Sequence, residues 1–395
     1  MRDFTFYCPT EVLFGRDAEM KTADAARRHG GNRLLVVYGG ESAEKSGLLD
    51  RICGTLDEEG LAYSLFKGTQ PNPRLDFVER GVKAAIETKA DMILGVGGGS
   101  AIDAAKAIAH GAANPDSDLW DFWQGKKTLV KTLPVGAVVT IPAAGSETSD
   151  SSVLLNEETG IKRGLSTPLN YPRFAVMNPA LGVTLPKYQI ACGVTDILMH
   201  TLERYFSPVT GNALTDEMAE ALMRVVVRFG KRVVEDPSDY EAMSEMFWCG
   251  SLSHNGLTGL GGLKDFANHQ LGHALGAVYD MTHGAAISAV WESWARYVLG
   301  MIPGNHTPRE PERFERFAKN VWDAKGAETG INKTVAFFKT LGVPTSLSEL
   351  GIGILSDTQL DDLSDRCSYG KTRTIGSFMT LDYRDIRNIY AAANR

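Results

Sequence analysis

Aspartate and histidine residues at helical spacing lie in the second half of the chain. Asp196 and His200 are four residues apart, and His269 and His273 repeat this spacing further along. In a helix, residues four apart lie on one face, one turn from each other, where they can chelate a divalent cation. His283 follows at the predicted start of another helix. These residues could together form a metal site with one aspartate and three histidines.

An Asp/His set without cysteine suits zinc, ferrous iron or a similar divalent ion and leaves coordination positions open to a substrate oxygen. We therefore interpret the predicted site as catalytic rather than structural. The spacing does not decide which of His269 and His273 is the ligand, and Cys192 and Glu203 offer no better geometry. The remaining histidines of interest are interpreted as core or surface residues: His29, His110, His254 and His306.

A glycine-rich turn lies in the first half of the chain, between a predicted buried strand and a predicted helix. It reads Gly97-Gly98-Gly99-Ser100, and Asp103 follows in the helix. Unpaired backbone N–H groups and the positive end of the helix dipole favour a phosphate there. The turn is neither G-x-G-x-x-G nor a P-loop, so the alternative is a tight turn with Ser100 as the helix N-cap.

Two further strand ends carry glycines or hydroxyl groups. One segment contains Thr140, Ser146 and Thr148, and the other is Gly39-Gly40-Glu41-Ser42. Ligands of open parallel sheets bind at the carboxyl ends of the strands. Three such ends in one sheet predict a long ligand, such as a dinucleotide.

The elements that must position these residues divide the chain into two halves. Short β-branched runs at 33–38, 91–96, 134–140 and 174–177 alternate with helical stretches, which predicts parallel strands joined by crossover helices. Beyond Pro186 the periodicity is helical, as at 214–234, 265–277 and 313–325, and 303–311 is a predicted loop. We predict an α/β dinucleotide-binding domain over 1–185 and an all-α metal-binding and substrate domain over 186–395.

Composition excludes several classes of protein. The 395 residues exceed what one hydrophobic core usually organises, and 41 basic against 48 acidic residues give a net charge of -7 with no basic patch for nucleic acid. Five scattered cysteines without C-x-x-C argue against a disulfide framework or a thiolate zinc site. The sequence contains no signal peptide and no apolar run long enough to span a membrane, so we expect a cytoplasmic protein.

Taken in order, these motifs resemble the iron-containing (group III) alcohol dehydrogenases, especially the butanol dehydrogenase and broad-specificity aldehyde reductase branch. The resemblance covers nearly the whole chain, from the segment 10–15 to the segment 341–345. Between them it rests on Gly97 to Ser100, Asp103, Lys106, the Thr140 segment, Asn178-Pro179, Gly193 to Asp196, His200 and the block from His269 to His283.

The resemblance implies a dehydroquinate-synthase-like fold, NAD(H) or NADP(H), one divalent metal such as Fe²⁺ or Zn²⁺, a small alcohol or aldehyde substrate, and a homodimer. It assigns the metal ligands as Asp196, His200, His269 and His283, and it places His273 near the nicotinamide as a catalytic proton relay. The implied cofactor contacts are Gly97, Gly98, Gly99, Ser100 and Asp103 near the pyrophosphate; Thr140, Ser146, Thr148 and Lys162 at the nicotinamide end; and Asn72 with Gly39, Gly40, Glu41 and Ser42 at the adenine end.

The adenine end departs from the pattern of related NADP-using members. Glu41 replaces a glycine and Glu44 replaces a lysine, whereas Ser42 and Lys45 are retained. A carboxylate repels a 2′-phosphate and can accept a hydrogen bond from a 2′-hydroxyl, so the sequence favours NAD over NADP.

The predicted reaction is reversible hydride transfer between a primary alcohol and nicotinamide, with the metal as Lewis acid. Alternatives within the fold are a polyol or glycerol-phosphate dehydrogenase and a lyase resembling dehydroquinate synthase. A metallohydrolase would leave the glycine turn unexplained, and a noncatalytic metal-binding or scaffold protein would not need to bind a dinucleotide.

Overall fold

The computed structural model describes residues 1–395, which form two compact units. The N-terminal unit comprises Tyr7–Leu185, and the C-terminal unit comprises Pro186–Arg395 together with Met1–Phe6. The first residues join the helical unit because the Met1 amino group donates to the Thr210 carbonyl and the Arg2 N–H donates to the Gly261 carbonyl.

The N-terminal unit is built on a six-stranded parallel sheet with strand order β1-β8-β5-β4-β2-β3. Its strands are β1 (Glu11–Phe14), β2 (Arg33–Tyr38), β3 (Ala62–Lys67), β4 (Met92–Gly97), β5 (Val135–Val139) and β8 (Phe174–Met177), and an antiparallel hairpin joins β6 (Ser151–Asn156) to β7 (Ile161–Ser166). The helices are α1 (Thr22–Arg28), α2 (Ser42–Lys45), α3 (Leu48–Glu58), α4 (Leu75–Glu87), α5 (Gly99–Ala113) and α6 (Trp120–Gln124).

Both faces of this sheet are covered, which explains why its central strands are apolar throughout. In β2, Leu34 and Val36 pack into a core shared with α1 and α3, whereas Leu35 and Val37 face a second core shared with α4 and α5. Successive strand residues point to opposite faces, so a strand buried on both sides has no polar alternation.

The four strands predicted from sequence are confirmed as β2, β4, β5 and β8. β1, β3 and the β6–β7 hairpin were not predicted from the sequence. β1 has only four residues, and β3 is a partly exposed edge strand that pairs only with β2, so neither produces a long apolar run.

The strand order reverses direction between β2 and β4. From β2 the chain proceeds outward to β3 at the sheet edge, then returns to β4 on the other side of β2 and continues towards β5. Such a switch point opens a crevice outside the carboxyl ends of the strands, where ligands of doubly wound sheets bind. The segments that begin at Gly39 and Gly98 leave the sheet at this place.

The C-terminal unit is helical, and the two-part fold agrees with the predicted fold class. Its helices are α7 (Lys187–Tyr205), α8 (Ala213–Glu235), α9 (Tyr240–His254), α10 (Ala267–Tyr279), α11 (His283–Val298), α12 (Glu312–Trp322), α13 (Ala327–Leu341), α14 (Asp357–Cys367) and α15 (Tyr383–Ala393). The predicted helical stretches correspond to α8, α10 and α12, and 303–311 is a loop as expected. No helix of the chain combines the length and the apolar character needed to cross a membrane.

Candidate functional site

Three helices of the C-terminal unit bring the predicted metal ligands together. The Oδ1 atom of Asp196 lies 3.6 Å from Nε2 of His200, which is one turn further along α7. The same oxygen lies 3.7 Å from Nε2 of His269 on α10 and 3.7 Å from Nε2 of His283 at the start of α11. The Nε2 atoms of His200 and His269 are 3.1 Å apart.

These distances suit a metal ion. Ligand atoms around a tetrahedral zinc ion with bonds of about 2.1 Å lie roughly 3.4 Å from one another. The potential ligand atoms of Asp196, His200 and His269 are buried and all lie within 4.8 Å of each other. His283 adds its Nε2 atom, which lies 3.7 Å from Oδ1 of Asp196. A carboxylate and imidazole nitrogens are also the donor set that divalent zinc and iron accept. The cluster can therefore hold a divalent cation.

His273 lies beyond this group rather than inside it. Its ring centroid is 5.4 Å from that of His283 and 6.4 Å from that of His269, and the residue is buried. His273 and His269 share one face of α10, and it is Nε2 of His269 that lies 3.7 Å from Oδ1 of Asp196. The geometry thus separates two histidines that their spacing alone could not distinguish.

A close backbone approach sets the position of His283. The next residue, Gly284, packs against the main chain of Cys192, and a Cβ atom there would lie 2.1 Å from the Cys192 carbonyl oxygen. Only glycine allows α11 to begin this close to α7. Because Cys192 precedes Asp196 by one turn, this contact brings His283 to the carboxylate.

Burial and neighbouring charges shift the pKa values of His200 and His269 in opposite directions. Burial lowers the pKa of His200 well below its usual range, and the nearby His269, His254 and Arg204 lower it further. Burial also lowers the pKa of His269, but the carboxylates of Glu203 and Asp196 outweigh that effect and raise it to about 9.

Several neighbours of the cluster were given no role from the sequence, including Glu203, which was set aside there as a metal ligand. His254, interpreted there as a core or surface residue, stacks on His200 with ring centroids 4.2 Å apart. The rings of Phe266 and His269 are nearly perpendicular with centroids 5.1 Å apart, and the Arg204 guanidinium lies 4.9 Å from the Phe266 ring centroid. Glu203 contacts the Nδ1 atom of His269. The spacing of Glu203, one turn after His200 in α7, was the available signal.

In the N-terminal unit, the glycine turn forms the start of α5. Gly97 ends β4 with a φ of 151°, and a Cβ atom on it would lie 2.8 Å from Cβ of Ala101. Gly98 is the N-cap, so Ser100 lies inside the helix instead of capping it, and no side chain caps this end. The first N–H groups of α5 and its dipole therefore favour an anion at the carboxyl edge of the sheet.

A buried lysine ties this helix to the Thr140 segment. Lys106 is fully buried and donates from Nζ to the Ser146 carbonyl at 2.7 Å and to the Ser151 carbonyl at 2.7 Å. Asp103 accepts from the Ser146 hydroxyl at 2.5 Å and from the Val153 N–H at 2.9 Å. Burial lowers the pKa of Lys106 to about 8 although Asp103 opposes the shift. The predicted contacts Asp103 and Ser146 thus bond to each other inside the unit.

Other predicted cofactor residues also lie in this unit. The Thr140 N–H donates to the Gly97 carbonyl at 3.0 Å, which joins two of the three predicted strand ends. Thr148 is buried in the short turn Ser146–Thr148. Lys162 on β7 donates to Oδ1 of Asn72 at 2.8 Å, and Asn72 has a left-handed φ of 56°.

Two lysines, Lys45 on α2 and Lys67 at the end of β3, pair with carboxylates that follow β2. Gly39 and Gly40 follow β2, and Glu41, the N-cap of α2, pairs with Lys45. Glu44 accepts from Lys67 at 2.6 Å and from the Tyr38 hydroxyl at 2.9 Å. Side-chain hydrogen bonds from Lys67 and Tyr38 lower the pKa of Glu44, so this carboxylate is ionised at neutral pH.

Comparison with known proteins extends over the whole chain. Residues 9–179 match the family described as iron-containing alcohol dehydrogenase, and residues 190–394 match the C-terminal part of the Fe-containing alcohol dehydrogenase family. The NADH-dependent butanol dehydrogenase A of Clostridium acetobutylicum is 34% identical, with 99% of each chain covered. The NADPH-dependent aldehyde reductase YqhD of Escherichia coli is 32% identical, with 89% of this chain and 90% of that protein covered.

A solved structure agrees with these sequence matches. The crystal structure of NADH-dependent butanol dehydrogenase A from Thermotoga maritima superposes with a TM-score of 0.93 at 33% identity, covering 100% of this chain and 99% of the other. The resemblance stated from the sequence is confirmed. The chain belongs to the iron-containing alcohol dehydrogenase family.

Proposed function

We propose that this protein is a metal-dependent, NAD(P)-linked alcohol dehydrogenase and aldehyde reductase that interconverts a butanol-like primary alcohol and its aldehyde. The observation that carries the proposal is the convergence of three imidazole Nε2 atoms within 3.7 Å of Oδ1 of Asp196. Membership of the family and the names of the butanol dehydrogenase and aldehyde reductase relatives support it.

Asp196, His200, His269 and His283 would hold the cation. When bound, a divalent cation there supplies Lewis-acid polarisation of an alcohol or carbonyl oxygen. The reaction moves a hydride between the alcohol carbon and nicotinamide C4, and the hydroxyl proton leaves separately. We assign His273 as the relay for that proton, since it is buried next to His283 and an imidazole exchanges protons near neutral pH.

The N-terminal unit would bind the dinucleotide at the carboxyl edge of its sheet. Gly97, Gly98, Gly99 and Ser100 would receive the pyrophosphate, because this helix start lies at the switch point between β4 and β2. The paired cations and the carboxylates Glu41 and Glu44 at the end of β2 favour NAD over NADP. We also propose that the dinucleotide contacts the other residues that the resemblance assigns to it: Gly39, Gly40, Ser42, Asn72, Asp103, Thr140, Ser146, Thr148 and Lys162.

The same proposal makes residues 1–185 the dinucleotide-binding domain and residues 186–395 the metal-binding and substrate domain. It includes a homodimer in the cytoplasm, supported by the resemblance to the family. A hydrolase would leave the glycine-rich sheet edge without a role, and the relatives named above are dehydrogenases and a reductase rather than lyases.

Initial rates at 340 nm with butanal and NADH or NADPH test the proposal, using enzyme reconstituted with ferrous or zinc ion and enzyme treated with a chelator. We expect metal-dependent oxidation of the cofactor, faster with NADH. His283→Gln should lose this activity, whereas His306→Gln, the same change at an exposed position, should retain it. Cofactor oxidation that persists after complete metal removal would contradict the proposed mechanism.

A further inference from the structure

A buried carboxylate on α7 contacts His269 at two points. Glu203 is 1% exposed, and its Oε1 atom accepts from the backbone N–H of His269 at 3.1 Å while Oε2 contacts the imidazole Nδ1. We propose that Glu203 is a positioning residue that fixes both the ring orientation and the tautomer of His269 for metal binding. This inference rests on the proposed metal site.

The hydrogen-bonding capacity of the two groups determines the tautomer. An ionised carboxylate only accepts hydrogen bonds, so the Nδ1 atom that faces Glu203 must carry a hydrogen. Whenever His269 is neutral and keeps its hydrogen on Nδ1, its lone pair is on Nε2. Nε2 is the atom that lies 3.7 Å from Oδ1 of Asp196 and 3.1 Å from Nε2 of His200. Glu203 therefore directs the lone pair of His269 towards the other ligands.

The backbone of the same glutamate anchors the start of α10. The Glu203 carbonyl accepts from the Asp265 N–H at 2.7 Å, and the Asp265 carboxylate accepts from the N–H groups of Ala267, Ser377 and Phe378. Phe266, between these anchors, is held at a left-handed φ of 54°, which is uncommon for a bulky residue and persists only where its surroundings fix it. Phe266 is the N-cap of α10, so these anchors fix the helix start that brings the His269 N–H and imidazole to Glu203.

The substitution Glu203→Gln keeps the size of the side chain but removes one acceptor. A glutamine offers one oxygen and one NH₂ group to two N–H donors, so its NH₂ must face either the backbone N–H or Nδ1 of His269. If it faces Nδ1, the imidazole must accept there and carry its hydrogen on Nε2, where no lone pair is left for a metal. Loss of such an orienting partner typically weakens metal binding 10- to 100-fold.

The test measures Co²⁺ affinity from the visible absorbance of the bound ion, together with thermal unfolding of the metal-free proteins. Glu220→Gln is the matched control, because Glu220 is a buried glutamate of the same unit that accepts from Tyr205, Arg316 and Asn320 and contacts none of the four ligands. We expect the Co²⁺ Kd to rise about tenfold or more in Glu203→Gln and to stay at the wild-type value in Glu220→Gln.

Three results would overturn the inference or its basis. A wild-type Kd in Glu203→Gln would remove the positioning role, and so would an equal rise in Glu220→Gln. Absence of Co²⁺ binding by the wild-type protein would instead refute the metal site of the proposed function.

A second measurement does not require Glu203→Gln to fold. Long-range ¹H–¹⁵N correlation spectra of zinc-loaded wild-type protein, labelled with ¹⁵N-histidine, report which ring nitrogen carries hydrogen. His269, assigned by comparison with His269→Gln, should show hydrogen on Nδ1. Hydrogen on Nε2 would overturn the proposal.

Discussion

The contact between Gly284 and Cys192 predicts that a single added methyl group disrupts the proposed metal site. In Gly284→Ala the new Cβ would lie 2.1 Å from the Cys192 carbonyl oxygen and 2.9 Å from its Cα, whereas ordinary contacts begin at 3.4 Å. The main chain of α7 is held by its own hydrogen bonds, so the start of α11 must retreat by about 1 Å. Metal–ligand distances tolerate only about 0.2 Å, so His283 would no longer reach the ion.

We expect Gly284→Ala to weaken Co²⁺ binding by at least about tenfold and to lower the free energy of unfolding by roughly 1–3 kcal/mol through overpacking. Titration with Co²⁺ and urea denaturation measure the two quantities. The control is Gly54→Ala in α3, where an added Cβ meets nothing within 4 Å. Alanine reduces the conformational entropy of the unfolded chain, so this substitution should raise the free energy of unfolding by about 0.5–1 kcal/mol. Unchanged affinity and stability in Gly284→Ala would refute the reasoning, and lost stability with unchanged affinity would remove His283 from the ligand set.

Three further predictions concern the N-terminal unit. Burial lowers the pKa of His110 to about 4 in the folded protein, whereas its pKa in the unfolded chain is about 6.5. When the pH falls below about 6.5, the unfolded state therefore binds the proton preferentially and the free energy of unfolding decreases. Between pH 7 and pH 5 the wild type should therefore lose about 2 kcal/mol more unfolding free energy than His110→Gln in urea denaturation; parallel pH profiles would contradict this. Lys106→Met should lower the free energy of unfolding by about 3–5 kcal/mol in the same assay, because it removes the buried cation beside the Asp103 carboxylate and the donor to the carbonyls of Ser146 and Ser151. Lys127→Met, at an exposed position, should change it by less than about 0.5 kcal/mol. Glu44→Gln, which releases Lys67 to bind a 2′-phosphate, should raise the NADPH to NADH ratio of kcat/KM about tenfold, and an unchanged ratio would show that this carboxylate does not select the cofactor.

The sequence alone indicated the two-part fold and supplied the residues proposed for both sites. Buried parallel strands and long amphipathic helices leave strong local patterns, so β2, β4, β5, β8 and the principal helices were predictable. The pairing of Asp196 with His200 follows from helix geometry alone, because residues four apart share a face whatever the helix packs against. The glycine turn before α5 was likewise predictable from a short local motif.

Only the tertiary structure distinguished His269 from His273 on geometric grounds and revealed Glu203 and His254 beside the cluster. These contacts join residues on α7, α9 and α10 that are tens of positions apart in the chain. Local periodicity does not encode how far one helix slides or rotates against another. That placement depends on packing, such as the approach of Gly284 to Cys192, and a shift of about 1 Å is enough to make or break a metal ligand.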